Sequence, residues 1–175
     1  FIMATQYEDL VGKVVSIDGL PFIGPVFTRS SSTTVTMLQP QASALKSMFA
    51  NMNSQQIAFQ TQQAVSIQAT SKEDQAKVVD MAKGSDPRTG AEALYEVMTT
   101  DLRQAIRLSN TPMLMLGASG GFTYSSEQKQ IAKLYHAQFE GMNNATVIMN
   151  PNAKHFMMFD DLNWVTEKIY EFISI

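Results

Sequence analysis

Ala145-Thr146-Val147-Ile148-Met149-Asn150-Pro151-Asn152-Ala153-Lys154-His155-Phe156 is the stretch from which the rest of the chain can be ordered. Its first five residues are apolar or β-branched, and Asn150-Pro151-Asn152 then stops the run, the pattern of a buried strand that ends in a turn. His155 therefore stands just beyond the carboxyl end of a strand and just before an apolar helix. In open α/β sheets ligands bind at that edge, so the position of this histidine carries more information than its type.

Working outward, the residues after it predict a last helix with Val165, Ile169, Phe172 and Ile173 on one face. Asp160 and Asp161 suit its start, where negative charge favours the helix dipole. Upstream, Pro112-Met113-Leu114-Met115-Leu116 reads as a buried strand ended by Gly117, and Ser125-Ser126-Glu127-Gln128 as a capping box opening a helix to about Glu140. Before that the texture is helical: Gln41 to Met52, Gln55 to Ala69, a helix opened by Thr70-Ser71-Lys72-Glu73 and closed near Gly84, one from Asp86-Pro87 to about Met98, and a short one from Asp101 to Leu108. Residues from Leu20 to about Thr36 lack periodicity and read as a loop. Lys13-Val14-Val15-Ser16-Ile17 is an interior strand broken by Asp18-Gly19-Leu20-Pro21, which makes Asp18 a second polar residue at a strand end. Phe1 to Tyr7 reads as the second half of a helix with no cap ahead of it, so the polypeptide is expected to continue upstream of Phe1.

Composition bounds the function classes. A chain of 175 residues with 45% hydrophobic residues predicts one soluble, globular domain. The net charge of -3 and scattered Lys and Arg leave no basic stripe for nucleic acid, and no apolar run is long enough for a membrane span. With no cysteine there is neither a disulfide nor a thiolate nucleophile, and two histidines far apart argue against a histidine-rich metal site.

Three segments carry a resemblance to the C-terminal part of α/β-hydrolase-fold enzymes: Lys13-Val14-Val15-Ser16-Ile17-Asp18-Gly19-Leu20-Pro21-Phe22, Thr111-Pro112-Met113-Leu114-Met115-Leu116-Gly117-Ala118, and Pro151-Asn152-Ala153-Lys154-His155-Phe156-Met157-Met158. The last is the most informative, because an Asn-Ala-x-His-Phe turn after the final strand is where that family keeps its catalytic histidine. The resemblance spans nearly the whole chain. It implies an α/β fold, a mostly parallel sheet with helices on both faces, with residues 1–36 and 109–175 as the core and 37–108 as a helical cap. It implies that His155 is the general base, acting on a serine nucleophile or, in aspartate-nucleophile members, on a water. It implies no cofactor. The N-terminal strands and the nucleophile elbow are expected upstream or on a second chain, since a three-strand piece leaves a sheet edge that the remainder would cover.

A histidine in that role needs a carboxylate on its other ring nitrogen, to fix the tautomer and stabilise the imidazolium. The loop where most of the family keeps it reads Gly117-Ala118-Ser119-Gly120-Gly121-Phe122-Thr123-Tyr124 and holds no acid. Some members place the acid after the sixth strand instead, and that position here is Asp18. The same loop satisfies G-x-S-x-G between a strand and a helix. Yet its helix starts several residues too late for a nucleophile elbow, and Asp18 before Ser119 breaks the family order of nucleophile, acid, histidine; a glycine-rich loop near the site is the expectation.

Phe22, Phe27 and Phe156 flank the proposed site and are candidates to line a substrate pocket. His136 reads as a partly exposed helix residue. Met37, Met48, Met52, Met81 and Met98 read mostly as packing core of the cap. The expected function is hydrolysis of small ester or acyl substrates; a haloalkane dehalogenase or epoxide hydrolase is the alternative within the fold. A non-catalytic binding protein on the same scaffold is the third reading, because fold does not fix function.

Overall fold

A computed structural model describes residues 1–174. In chain order its elements are α1 (Ile2–Gln6), β1 (Val14–Ile17), α2 (Gly24–Thr28), α3 (Val35–Ala50), α4 (Ser54–Ala64), α5 (Lys72–Gly84), α6 (Pro87–Thr99), α7 (Arg103–Leu108), β2 (Met113–Ala118), α8 (Ser125–Gln138), β3 (Ala145–Asn150), α9 (Met157–Asp160) and α10 (Leu162–Ile173). The three strands form one parallel sheet in the order β1-β2-β3, with Val14 opposite Met113 and Met113 opposite Ala145. The architecture is mixed α/β, with a long helical insertion between β1 and β2.

Side chains alternate across a strand, and in β2 both faces are apolar, so the strand is buried throughout. Met113 and Met115 pack with Ile106, Ile131, Leu134 and Tyr135 from α7 and α8. Leu114, Leu116 and Ala118 pack on the other side with Met157 and Val165 from α9 and α10. The flanking strands keep the same phase: Val14, Val147 and Met149 join the first face, Val15, Ile17 and Ile148 the second. Each large side chain buried in this way contributes about 1.5–3 kcal/mol, which makes β2 the spine of a three-layer core.

In the insertion α3 packs on α6 and α4 on α5. Several expectations shift here. The stretch 20–36 contains α2, with Pro25 in its first turn, and α3 starts at Val35 because the Thr34 side chain caps the Met37 amide; Pro40 lies inside that helix. Ser71, not Thr70, caps α5, since the Thr70 amide is used elsewhere, by Asp160. The capping box expected at Ser125 does not form: Tyr124 takes the extended cap position, and the Gln128 side chain donates through Nε2 to the Phe122 and Pro151 carbonyls. The methionine expectation is corrected too. Met98 is buried, whereas Met37, Met48 and Met81 are 63%, 43% and 49% exposed. Leu38 and Ala42 of α3 and Ala91 and Met98 of α6 are the buried residues of that helix pair, and Met37 and Met48 lie roughly 80–100° round α3 from Leu38. Ile173 is exposed for a similar reason, at the edge of the stripe that Val165, Ile169 and Phe172 bury. No helix among the described residues is long and apolar enough to cross a membrane.

Candidate active site

Asp18 follows the last residue of β1 and still donates its amide to the Leu116 carbonyl at 2.7 Å. It then adopts the left-handed backbone, φ 56°, a conformation that aspartate tolerates better than most side chains. This bend aims the carboxylate across the end of β2, where Oδ1 accepts from the Ala118 amide at 2.7 Å and from the Tyr135 hydroxyl at 2.9 Å. Oδ2 lies 2.8 Å from His155 Nδ1. The Asp18 side chain is only 7% exposed, so these bonds act where water competes little. Burial above all, and then the charge and hydrogen bond of Asp18, push the Tyr135 phenol far above its ordinary range, and it remains a donor.

His155 reaches Asp18 because the turn after β3 is tied to the loop after β2. Asn150 Oδ1 accepts from the Asn152 and Ala153 amides, an Asx-type turn, while Ser119 N donates to Asn150 O and Gly120 N to Ala153 O. A side chain at position 120 would bring its Cβ within 2.7 Å of Ala153 O, so only glycine lets the two backbones meet. On the other flank Phe156 N donates to Gln68 O, Lys154 Nζ to Ser66 O at 2.7 Å, and Asp160 accepts from both Thr70 N and Lys154 N. The corner between α4 and α5 is thereby fastened to the histidine turn. The Phe156 ring meets His155 edge-on, centroids 5.0 Å apart, and stacks on Phe159.

The imidazole is 53% exposed. With Nδ1 against a carboxylate, the neutral ring carries its proton there and offers the lone pair of Nε2. The pair can accept a proton at Nε2 and stabilise the resulting imidazolium through Asp18.

No protein-family model matches this chain, and no curated protein matches it either. The chemistry of the site rests on its own geometry. Among the described residues no cluster of three histidine, aspartate or glutamate side chains stands close enough to hold a metal ion.

Of the residues singled out from the sequence, Asp18, His155 and Phe156 come together. Phe22 is buried, with its amide donating to Gln138 Oε1 and the Arg103 guanidinium 4.9 Å over its ring; it packs as core rather than facing an open pocket. Phe27 lies on α2 and is exposed. Ser119 is buried, its backbone is not among the strained positions, which for non-glycine described residues are Asp18 and Arg29, and α8 starts six residues later. An exposed nucleophile on a strained turn is thus not what Ser119 offers. The surrounding glycines are spacers: a Cβ at Gly117 would lie 2.6 Å from the Tyr135 ring, and one at Gly121 would lie 2.8 Å from Ile67 O. Asp161 caps α10 at Trp164 N, whereas Asp160 holds the insertion to the histidine turn. His136 is exposed on α8. Three contributors were not foreseen: the Ala118 amide, Asp160 and Tyr135. For Tyr135 a signal existed, its place with Ile131, Leu134 and Gln138 on the buried face of α8.

Proposed function

We propose that this chain carries the acid and base of an α/β-hydrolase-type enzyme that cleaves small ester or acyl substrates. The observation that supports it is the Asp18–His155 pair, 2.8 Å apart at the carboxyl edge of a parallel sheet. In this reading His155 Nε2 takes the proton of a serine supplied from outside these residues, upstream or on a second chain, and returns it to the leaving group. Asp18 holds the imidazole and stabilises its charged form. Residues 37–108 act as the cap that selects substrate, and the fastening of residues 66–70 to the histidine turn supports a cap seated beside the base.

One observation favours a second reading. The acid follows β1 instead of lying in the loop after β2, as in some aspartate-nucleophile members, so a haloalkane dehalogenase or epoxide hydrolase is the alternative. Halide release or diol formation from a substrate panel separates the two. The test of the main reading is His155→Ala in the full-length protein, with turnover of a short-chain nitrophenyl ester expected to disappear; unchanged turnover ends the proposal. A non-catalytic binder instead keeps its ligand affinity in Asp18→Asn.

A further inference from the structure

Tyr135 has no part in the chemistry above, yet its hydroxyl is spent on the acid. The ring is 4% exposed, and burying a phenol costs free energy unless its hydroxyl is bonded. For packing alone phenylalanine would serve. The ring also demands a neighbour with no side chain, since a Cβ at Gly117 would collide with it and with the Met149 sulfur. Tyrosine at 135 and glycine at 117 together let a hydroxyl reach the end of the sheet, and what it reaches is Asp18 Oδ1.

A carboxylate bonded only to a half-exposed imidazole is free to rotate about its terminal torsion. Here Oδ1 is fixed from two directions, by the Ala118 amide at the end of β2 and by the Tyr135 hydroxyl from α8. Both donors belong to packed elements, so the core, and not solvent, sets where Oδ2 points. We infer that Tyr135 is a positioning residue: with the Ala118 amide it locks one oxygen of Asp18 so that the other is held on His155 Nδ1. This rests on Asp18 and His155 forming an acid–base unit and not on which nucleophile they serve.

The test reads the imidazole directly. Ring nitrogen shifts are measured by NMR on the full-length protein, uniformly ¹⁵N-labelled, at a pH where the ring is neutral. Wild type, Tyr135→Phe and Asp18→Asn are compared, and His136→Gln assigns the two histidines. In wild type His155 is expected in the Nδ1–H form. Asp18→Asn loses that form, and Tyr135→Phe shifts most of the population the same way, towards the Nε2–H form that free imidazoles prefer. A hydroxyl that serves only to satisfy a buried carboxylate would leave the tautomer alone. Retention of the Nδ1–H form in Tyr135→Phe overturns the inference while the Asp18–His155 pair stands. A wild-type spectrum without that form removes the pair itself, and with it both the inference and the proposed function. Should Tyr135→Phe fail to fold, Gly117→Ala keeps the hydroxyl but crowds the ring away from Asp18 and is expected to give the same loss; an unchanged tautomer there counts against the inference equally.

Discussion

Replacing Asp18 by alanine and by asparagine separates two roles of one carboxylate. Alanine leaves the Ala118 amide and the Tyr135 hydroxyl without an acceptor, and both residues are buried. Each orphaned donor costs about 1–3 kcal/mol. Alanine must also keep the left-handed backbone at φ 56°, which adds about 1–2 kcal/mol. The expected loss is about 3–8 kcal/mol, comparable with the whole stability of many domains. Asparagine tolerates that backbone and still presents an oxygen to both donors, so only the charge-assisted part disappears, about 1–2 kcal/mol. The partner lost at Oδ2 is a half-exposed histidine, which water can serve. In urea, where a slope of about 2 kcal/mol per molar is ordinary, the two midpoints should differ by about 0.5–3.5 M, with alanine the lower. Equal midpoints would mean that Oδ1 is not the fixed end of the carboxylate. Activity should order the variants differently: asparagine puts an amide against Nδ1 and favours the wrong tautomer, which in a well-studied serine protease costs about 10⁴-fold in turnover, so both variants are nearly inactive although only one is badly destabilised.

Asp160→Ala removes the acceptor for Thr70 N and Lys154 N and should release the α4–α5 corner from the histidine turn; hydrogen exchange at those two amides is expected to accelerate well beyond the average, and unaltered protection would show that the clasp is held otherwise. The raised ionisation of Tyr135 has a sign that can be checked: the folded phenol keeps its proton where the unfolded one loses it, so this contribution is complete below about pH 10. Above that value stability falls by about 1.4 kcal/mol per pH unit until the folded phenol itself ionises, and urea unfolding of Tyr135→Phe should lack this component of the alkaline slope. Ser119→Ala should leave turnover of the full-length protein within a few-fold of wild type; a collapse in turnover would return Ser119 to consideration as nucleophile.

What could be read from the sequence is what local periodicity and turn chemistry encode. The apolar run of β2, the stopped run of β3, the caps at Asp86 and Asp161 and the buried stripe of α10 are each written within a few residues. The placement of Asp18 and His155 at strand ends follows from the same local signals. Capping was less secure where neighbours compete, as at Thr70 and Ser125, because a donor taken by a distant carboxylate is invisible in the local pattern. The insertion's methionines misled for a related reason: which side of an amphipathic helix is buried depends on the partner helix, and in α3 and α6 the buried side holds Leu38, Ala42, Ala91 and Met98 while Met37 and Met48 are exposed.

The candidate site itself belongs to the tertiary structure. Its carboxylate gathers donors 100, 117 and 137 residues away along the chain. No periodicity of 2 or 3.6 residues can specify that meeting. It exists because the three strands stack in parallel and in sequence order, which brings their carboxyl ends side by side about 5 Å apart, and because glycines at 117 and 120 let a tyrosine ring and a turn approach the sheet more closely than any side chain would allow. The sequence determined which residues stand at strand ends; only packing decided that three of those ends, and one helix face, share a single aspartate.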